Sequence, residues 1–241
     1  KPTDVSHPDH FHKVVDCQWA CPAHTPVPEY IRLIAAGRHS EAYLVNWKSN
    51  VFPGILGRTC DRPCEPACRR GRVEEGGVAG EGTPPEPVAI CRLKRVAADH
   101  KDDIRARLPR APAEKNGLRV ACIGAGPASL TVARDLAPLG YAVTVFDQDP
   151  KAGGFMRTQV PRFRLPERVI DEEVSYVLDI GVDFVGGRRI DSLKAVLDEG
   201  YDAVFVGSGA PRGRDLDIPG RQEATAHIHI GIDWLASVHF G

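Results

Sequence analysis

The sequence predicts two fold classes in one chain: an all-α first part, then a Rossmann-like α/β part with a parallel sheet. Three observations predict this. From residue 118 onward, short apolar runs alternate with glycine turns and helical patterns. Before residue 100, apolar residues recur at helical spacing without that alternation. The cysteines are also uneven: Cys17, Cys21, Cys60, Cys64, Cys68 and Cys91 precede residue 92, and only Cys122 follows.

In the first part, Thr25 can cap a helix that starts near Pro26 and runs through Tyr30, Ile31 and Ile34 to Gly37. Ser40 can cap a second, through Ala42, Tyr43, Leu44 and Trp47. Pro87 can open a third, with Ile90, Leu93, Val96 and Ala97 at helical spacing. Between the last two, 71–87 is rich in Gly, Glu and Pro and reads as a surface loop. In the second part, Arg119–Ile123 reads as a buried strand and 124–129 as a turn. A helix at 127–139 and a strand at 142–146 follow. Residues 167–180 read as a helix, and 182–185 and 203–206 as strands. The expected organisation is a helical domain over 1–100, a charged, Pro-containing linker over 101–117, and an α/β domain over 118–241.

Composition excludes some functions. Lys+Arg is 31 against Asp+Glu 32, so nothing in the charge asks for nucleic acid. No apolar run approaches the ~20 residues of a membrane span. The polar, His-containing start is no signal peptide, and a cytoplasmic location is expected.

The turn Gly124-Ala125-Gly126-Pro127-Ala128-Ser129 joins a strand to a helix. In such a turn the first glycine permits the sharp bend. The second lets the backbone approach a pyrophosphate resting on the helix N-terminus. Ser129 takes the place of a third glycine and is small enough for helix and strand to pack. Asp147 ends the next strand, where a carboxylate can accept from ribose hydroxyls. This pattern suits FAD or NAD. Gly153-Gly154 soon after, and a second strand-to-glycine junction at Gly207 and Gly209, allow close approach to a long cofactor and lean towards FAD.

Cys60, Cys64 and Cys68 stand four apart in a loop broken by prolines, and Pro22 directly follows Cys21. In an intracellular chain such clustering points to metal or redox chemistry. The Cys-Pro step suits a loop around a cubane iron–sulfur cluster. Structural zinc is the alternative, since four thiolates suit it equally. Arg58, Arg62, Arg69, Arg70 and Arg72 surround the loop and could offset thiolate charge. Cys122 reads as a packed core thiol. No acid–base pair or nucleophile reads as catalytic.

These residues resemble the glutamate synthase small (beta) subunit and the N-terminal part of dihydropyrimidine dehydrogenase. The resemblance covers nearly the whole chain, including 160–166 (VPRFRLP) and 205–211 (FVGSGAP). It implies a helical double-cluster domain followed by an FAD domain. In the family, NADPH gives hydride to FAD, and electrons leave singly through 4Fe–4S clusters to a partner. By residue match, flavin contacts would include Gly124 to Ala128, Asp147, Phe155, Arg164 and Ile190. One cluster would use Cys21, Cys60 and Cys64 plus a ligand on the following helix, where Cys91 is offered. The other would use Cys17 and Cys68 plus two positions that here hold Asp9 and His12, leaving that cluster absent, altered or His-ligated. The chain stops where the family's nicotinamide domain begins and has no second glycine fingerprint. NAD(P)H is therefore expected only through a missing domain or partner, and a redox partner subunit or the remainder of a longer polypeptide is implied. The function expected is that of an NAD(P)H-linked FAD and 4Fe–4S electron-transfer module. The alternative is a non-enzymatic assembly subunit stapled by zinc or a cluster.

Overall fold

The computed structural model describes residues 15–71, 85–210 and 212–240. It separates into two units, Lys1–Ala106 and Arg107–Gly241. Asp9, His12 and most of the 71–87 loop lie outside the described residues.

The first unit is helical: α1 (Asp16–Ala20), α2 (Val27–Ala35), α3 (His39–Ser49), α4 (Pro53–Thr59) and α5 (Ile90–Asp99). Tyr30 and Tyr43 are fully buried, and Val27, Tyr30, Ala42, Cys64, Ile90 and Ala97 form one apolar cluster. The expected caps differ. Pro26 and Arg38 hold the N-cap positions of α2 and α3, with no side-chain cap bond. Thr25 is buried instead, where its Oγ1 accepts from Asn50 Nδ2 at 2.9 Å. Ser40 Oγ donates to Asp102 Oδ2 at 3.1 Å and accepts from the Asp102 N–H at 2.9 Å. α4 was not expected. It is held to α5 so closely that a Cβ on Gly57 would lie 2.9 Å from the Arg95 backbone.

The second unit is α/β. Strands β1 (Arg119–Ile123), β2 (Ala142–Phe146), β3 (Asp183–Val185) and β4 (Ala203–Val206) form one sheet in the order β3-β2-β1-β4, every pairing parallel. The helices are α6 (Pro127–Leu136), α7 (Phe155–Thr158), α8 (Glu167–Leu178), α9 (Leu193–Asp198) and α10 (Gly231–Phe240). α6 ends earlier than expected: Pro138 cannot donate to the helical ladder, and the chain tightens into a 3₁₀ turn over Ala137–Leu139. Cys122 is a fully buried core thiol of β1, and burial pushes it up to about 11. The strand order reverses between β1 and β4. The carboxyl ends of those two strands form the crevice where open parallel sheets bind ligands. Among the described residues no helix is long and apolar enough to cross a membrane.

Candidate functional site

Each unit carries one candidate site. In the helical unit, α4 delivers Cys60 at its C-terminal cap, and α5 carries Cys91 in its first turn. Cys64 lies in the loop between them, and Cys21 caps α1. Two non-glycine residues with positive φ shape the cysteine loops: Arg62 at 60° and His24 at 47°. Such backbone is held only where its surroundings over-determine it, as happens at functional sites. At Arg62 it turns the backbone N–H onto Cys60 Sγ, 3.4 Å away. Cys21 Sγ lies 3.4 Å from Thr25 Oγ1. Cys91 Sγ lies 3.3 Å from the Leu56 carbonyl oxygen.

The thiols sort into two neighbourhoods. Cys21, Cys60, Cys64 and Cys91 form one. A hydrogen bond from Cys91 favours the Cys60 thiolate and draws it well below the usual thiol range, while Cys91 is pushed up by the same bond. Burial, chiefly, pushes Cys64 up to about 11, and Cys21 and Cys60 add to this. Cys17 and Cys68 form the second neighbourhood: burial raises Cys17, and Cys68 raises it further. Arg69 donates to Asp16 at 3.1 Å beside that pair. All seven cysteines are free thiols. Among the described residues no three His, Cys, Asp or Glu side chains converge tightly enough to hold a single metal ion.

In the α/β unit, Gly124 has φ +91°, and a Cβ there would lie 2.6 Å from the Gly207 carbonyl oxygen. The turn after β1 therefore presses on the turn after β4, at the mouth of the crevice. Gly154 makes a similar approach, its Cβ position lying 2.7 Å from Gly126 Cα. Gly153 N–H donates to the Ala125 carbonyl at 2.8 Å. Gly126 itself faces open space, with nothing within 4 Å of a Cβ built on it. Ser129 is fully buried under this turn, and its Oγ has no hydrogen-bond partner among the described residues. Asp147 accepts from Ala125 N–H at 2.5 Å on one oxygen and from Asp149 N–H at 2.9 Å on the other. It thus ties the glycine turn to the end of β2.

The remaining expected residues are more dispersed. Pro127 and Ala128 open α6. Phe155 opens α7, more than half exposed, and Arg164 is exposed in the 160–166 segment. Ile190 packs, partly buried, against the sheet core of Ala121, Ile123, Phe146, Val196 and Tyr201. Gly209 follows β4 with φ +68°.

Comparison with known proteins sets this geometry in context. Residues 12–106 match the family model described as dihydropyrimidine dehydrogenase domain II, 4Fe-4S cluster. Residues 122–198 match an NAD(P)-binding Rossmann-like domain. The NADP(+)-dependent formate dehydrogenase subunit beta of Moorella thermoacetica is 33% identical over 92% of this chain and 33% of its own length. The glutamate synthase [NADPH] small chain of Bacillus subtilis (strain 168) is 32% identical over 89% of this chain and 41% of its own. A Salmonella typhi homologue of the NAD-dependent dihydropyrimidine dehydrogenase subunit PreT is 32% identical over 91% and 50%. The chain is homologous to these subunits. Its first part is similar to the 4Fe-4S domain II of dihydropyrimidine dehydrogenase and its second to a Rossmann-like domain. It spans between a third and a half of those relatives' lengths.

Sequence reasoning missed two residues of this 4Fe-4S domain. Glu65 Oε1 accepts from the Cys91 N–H at 3.0 Å, capping α5 from another segment. Nothing local in the sequence signals that. Lys94 is buried on α5, one turn after Cys91. Its signal was available: a charge standing three residues after Cys91 and four after Ile90, inside the stripe that the helical period makes apolar.

Proposed function

We propose that this chain is the FAD and 4Fe–4S electron-transfer module of an NAD(P)H-dependent oxidoreductase, working in the cytoplasm with a partner subunit or with further segments of a longer protein. The observation that carries the reading is the presence, in one chain, of the four-thiol neighbourhood and the glycine crevice at the sheet's switch point. The donor chemistry fits a cubane cluster: four thiols on short loops and caps, with a backbone N–H already aimed at Cys60 Sγ. Cys21, Cys60, Cys64 and Cys91 would hold it. Cys17 and Cys68 would be the remaining ligands of a second cluster, which is absent, altered or His-ligated.

The crevice fits a dinucleotide. Open space at Gly126 admits a pyrophosphate to the α6 N-terminus, where unpaired backbone N–H groups and the helix dipole receive anions. The fit of Gly154 against Gly126 continues the cradle past Asp147, as the longer FAD requires. Asp147 would orient the ribose while holding the turn. Gly124, Pro127, Ala128, Ser129, Phe155, Arg164, Ile190, Gly207 and Gly209 complete the proposed flavin contacts. A flavin takes electrons in pairs as hydride and yields them singly, whereas a cluster carries one. The nicotinamide nucleotide would be bound by another domain or subunit.

Anaerobic purification of the chain tests this. Flavin and cubane absorbance, with about four irons and four sulfides per chain, is the expected result. Iron below one cluster's worth, or zinc without acid-labile sulfide, would overturn it in favour of a stapled assembly subunit.

A further inference from the structure

α5 buries one stripe: Ile90, Cys91, Lys94, Ala97 and Ala98. Four of these suit a protein interior. Lys94 is only 6% exposed, and among the described residues it makes no hydrogen bond and no ion pair with a carboxylate. Burying a cation without counter-charge is costly. Negative charge at this end of α5 comes from the thiols and from Glu65, whose carboxylate is already held by the Cys91 N–H. Lys94 lies one turn after Cys91 on the same buried face of α5, the face that carries this thiol into the helical unit. Among the described residues the arginines near the loop are engaged elsewhere: Arg58 by Asp99, Arg62 by Glu65, Arg69 by Asp16, and Arg70 by the Glu86 carbonyl.

We propose that Lys94 is the built-in counter-charge of the cluster held by Cys21, Cys60, Cys64 and Cys91, and that it makes this cluster easier to reduce. The inference rests on the reading that these thiols hold a 4Fe–4S cluster. Four thiolates leave such a group with excess negative charge. One-electron reduction adds one more negative charge and breaks no bond. A fixed cation in a low-dielectric surrounding stabilises the reduced form more than the oxidised one. Glu65 acts in the opposite sense. Its carboxylate accepts the Cys91 N–H and so sets a negative charge beside that ligand.

The test is a mediated redox titration of the full chain, purified anaerobically and followed by EPR and visible absorbance, with iron and sulfide measured for each variant. Lys94→Met is expected to keep its iron and sulfide while the equilibrium constant for reduction falls about tenfold, ~59 mV for one electron. Lys94→Arg keeps the charge and should stay near wild type. Glu65→Gln removes the opposing charge but retains an acceptor for the Cys91 N–H, so its potential should rise. An intact cluster in Lys94→Met with the wild-type potential would overturn the proposal, as would a Lys94→Arg potential as low as that of Lys94→Met. Should Lys94→Met fail to fold, an unmoved potential in Glu65→Gln overturns it. A wild-type chain without iron removes the functional reading and this inference together; a loaded wild type insensitive to these charges removes this inference alone.

Discussion

Two alanine substitutions, two residues apart in the glycine turn, should have opposite consequences. Gly124 has φ +91°, and an alanine there carries a left-handed conformation that costs about 1–2 kcal/mol. Its Cβ would also stand 2.6 Å from a backbone oxygen, that of Gly207, which cannot rotate aside. Overpacking of that kind costs about 1–3 kcal/mol. The sum, ~2–5 kcal/mol, is a large share of a domain stability of ~5–15 kcal/mol. Gly126 is different. Its φ of −79° and ψ of −179° are ordinary extended backbone, and a Cβ meets nothing within 4 Å. Gly126→Ala loses a favourable N-cap residue but gains from a less free unfolded chain, terms of ~0.5–1 kcal/mol that nearly cancel. The new methyl would instead occupy the space through which a pyrophosphate approaches. Urea titrations read by hydrogen exchange over β1 should show Gly124→Ala strongly destabilised and Gly126→Ala near wild type. Flavin titration of the refolded protein should show Gly126→Ala at least about tenfold weaker, or ~1.4 kcal/mol. A stable Gly124→Ala would refute the packing argument, and undiminished flavin affinity in Gly126→Ala would refute the placement of the ligand.

Three further outcomes are expected. Glu65→Ala removes the acceptor of the Cys91 N–H and should lower the stability of the helical unit by ~0.5–2 kcal/mol, the usual worth of an N-terminal cap, as seen in thermal melts of the metal-free chain. In the reduced, metal-free chain at neutral pH, iodoacetamide should modify Cys60 before Cys64 or Cys91; Cys91→Ala, which deletes the hydrogen bond favouring the Cys60 thiolate, should move that alkylation profile to higher pH, as peptide mass mapping would record. Burial raises the Asp99 carboxyl, but hydrogen bonds from Arg58 and Arg95 outweigh it and hold Asp99 below its ordinary value. Its contribution is therefore present above the unfolded value near ~3.9 and lost as pH falls through the folded one, so Asp99→Asn should flatten the acid side of the stability profile.

How legible these features were depended on their range. The strands β1, β2 and β4 were read at their boundaries because each is a short apolar run bounded by turn residues. α2, α3 and α5 were located by apolar period, yet their starts were misjudged. Thr25 and Ser40 have capping side chains, but tertiary partners, Asn50 and Asp102, claim them. α4 escaped notice because a seven-residue stretch with two glycines has little helical propensity. It is helical because Gly57 lets it lie against α5. The arginines around the loop were read as groups that could offset thiolate charge. In the fold Arg58, Arg62 and Arg69 reach carboxylates and Arg70 a backbone carbonyl, while Lys94 is buried on α5 one turn after Cys91.

What the sequence determined by itself was inventory and local geometry. The cysteine spacing, the glycine turn and the alternation of strand and helix are short-range patterns, set by dihedral freedom and by the periods of 2 and 3.6 residues. What only the tertiary structure decided was which distant groups meet. Gly124 is pressed against Gly207, Glu65 caps the helix of Cys91, and Lys94 is buried on that helix. No pattern within one segment specifies the meetings of Gly124 with Gly207 or of Glu65 with Cys91. They follow from parallel strand order and helix packing, which bring together positions far apart along the chain.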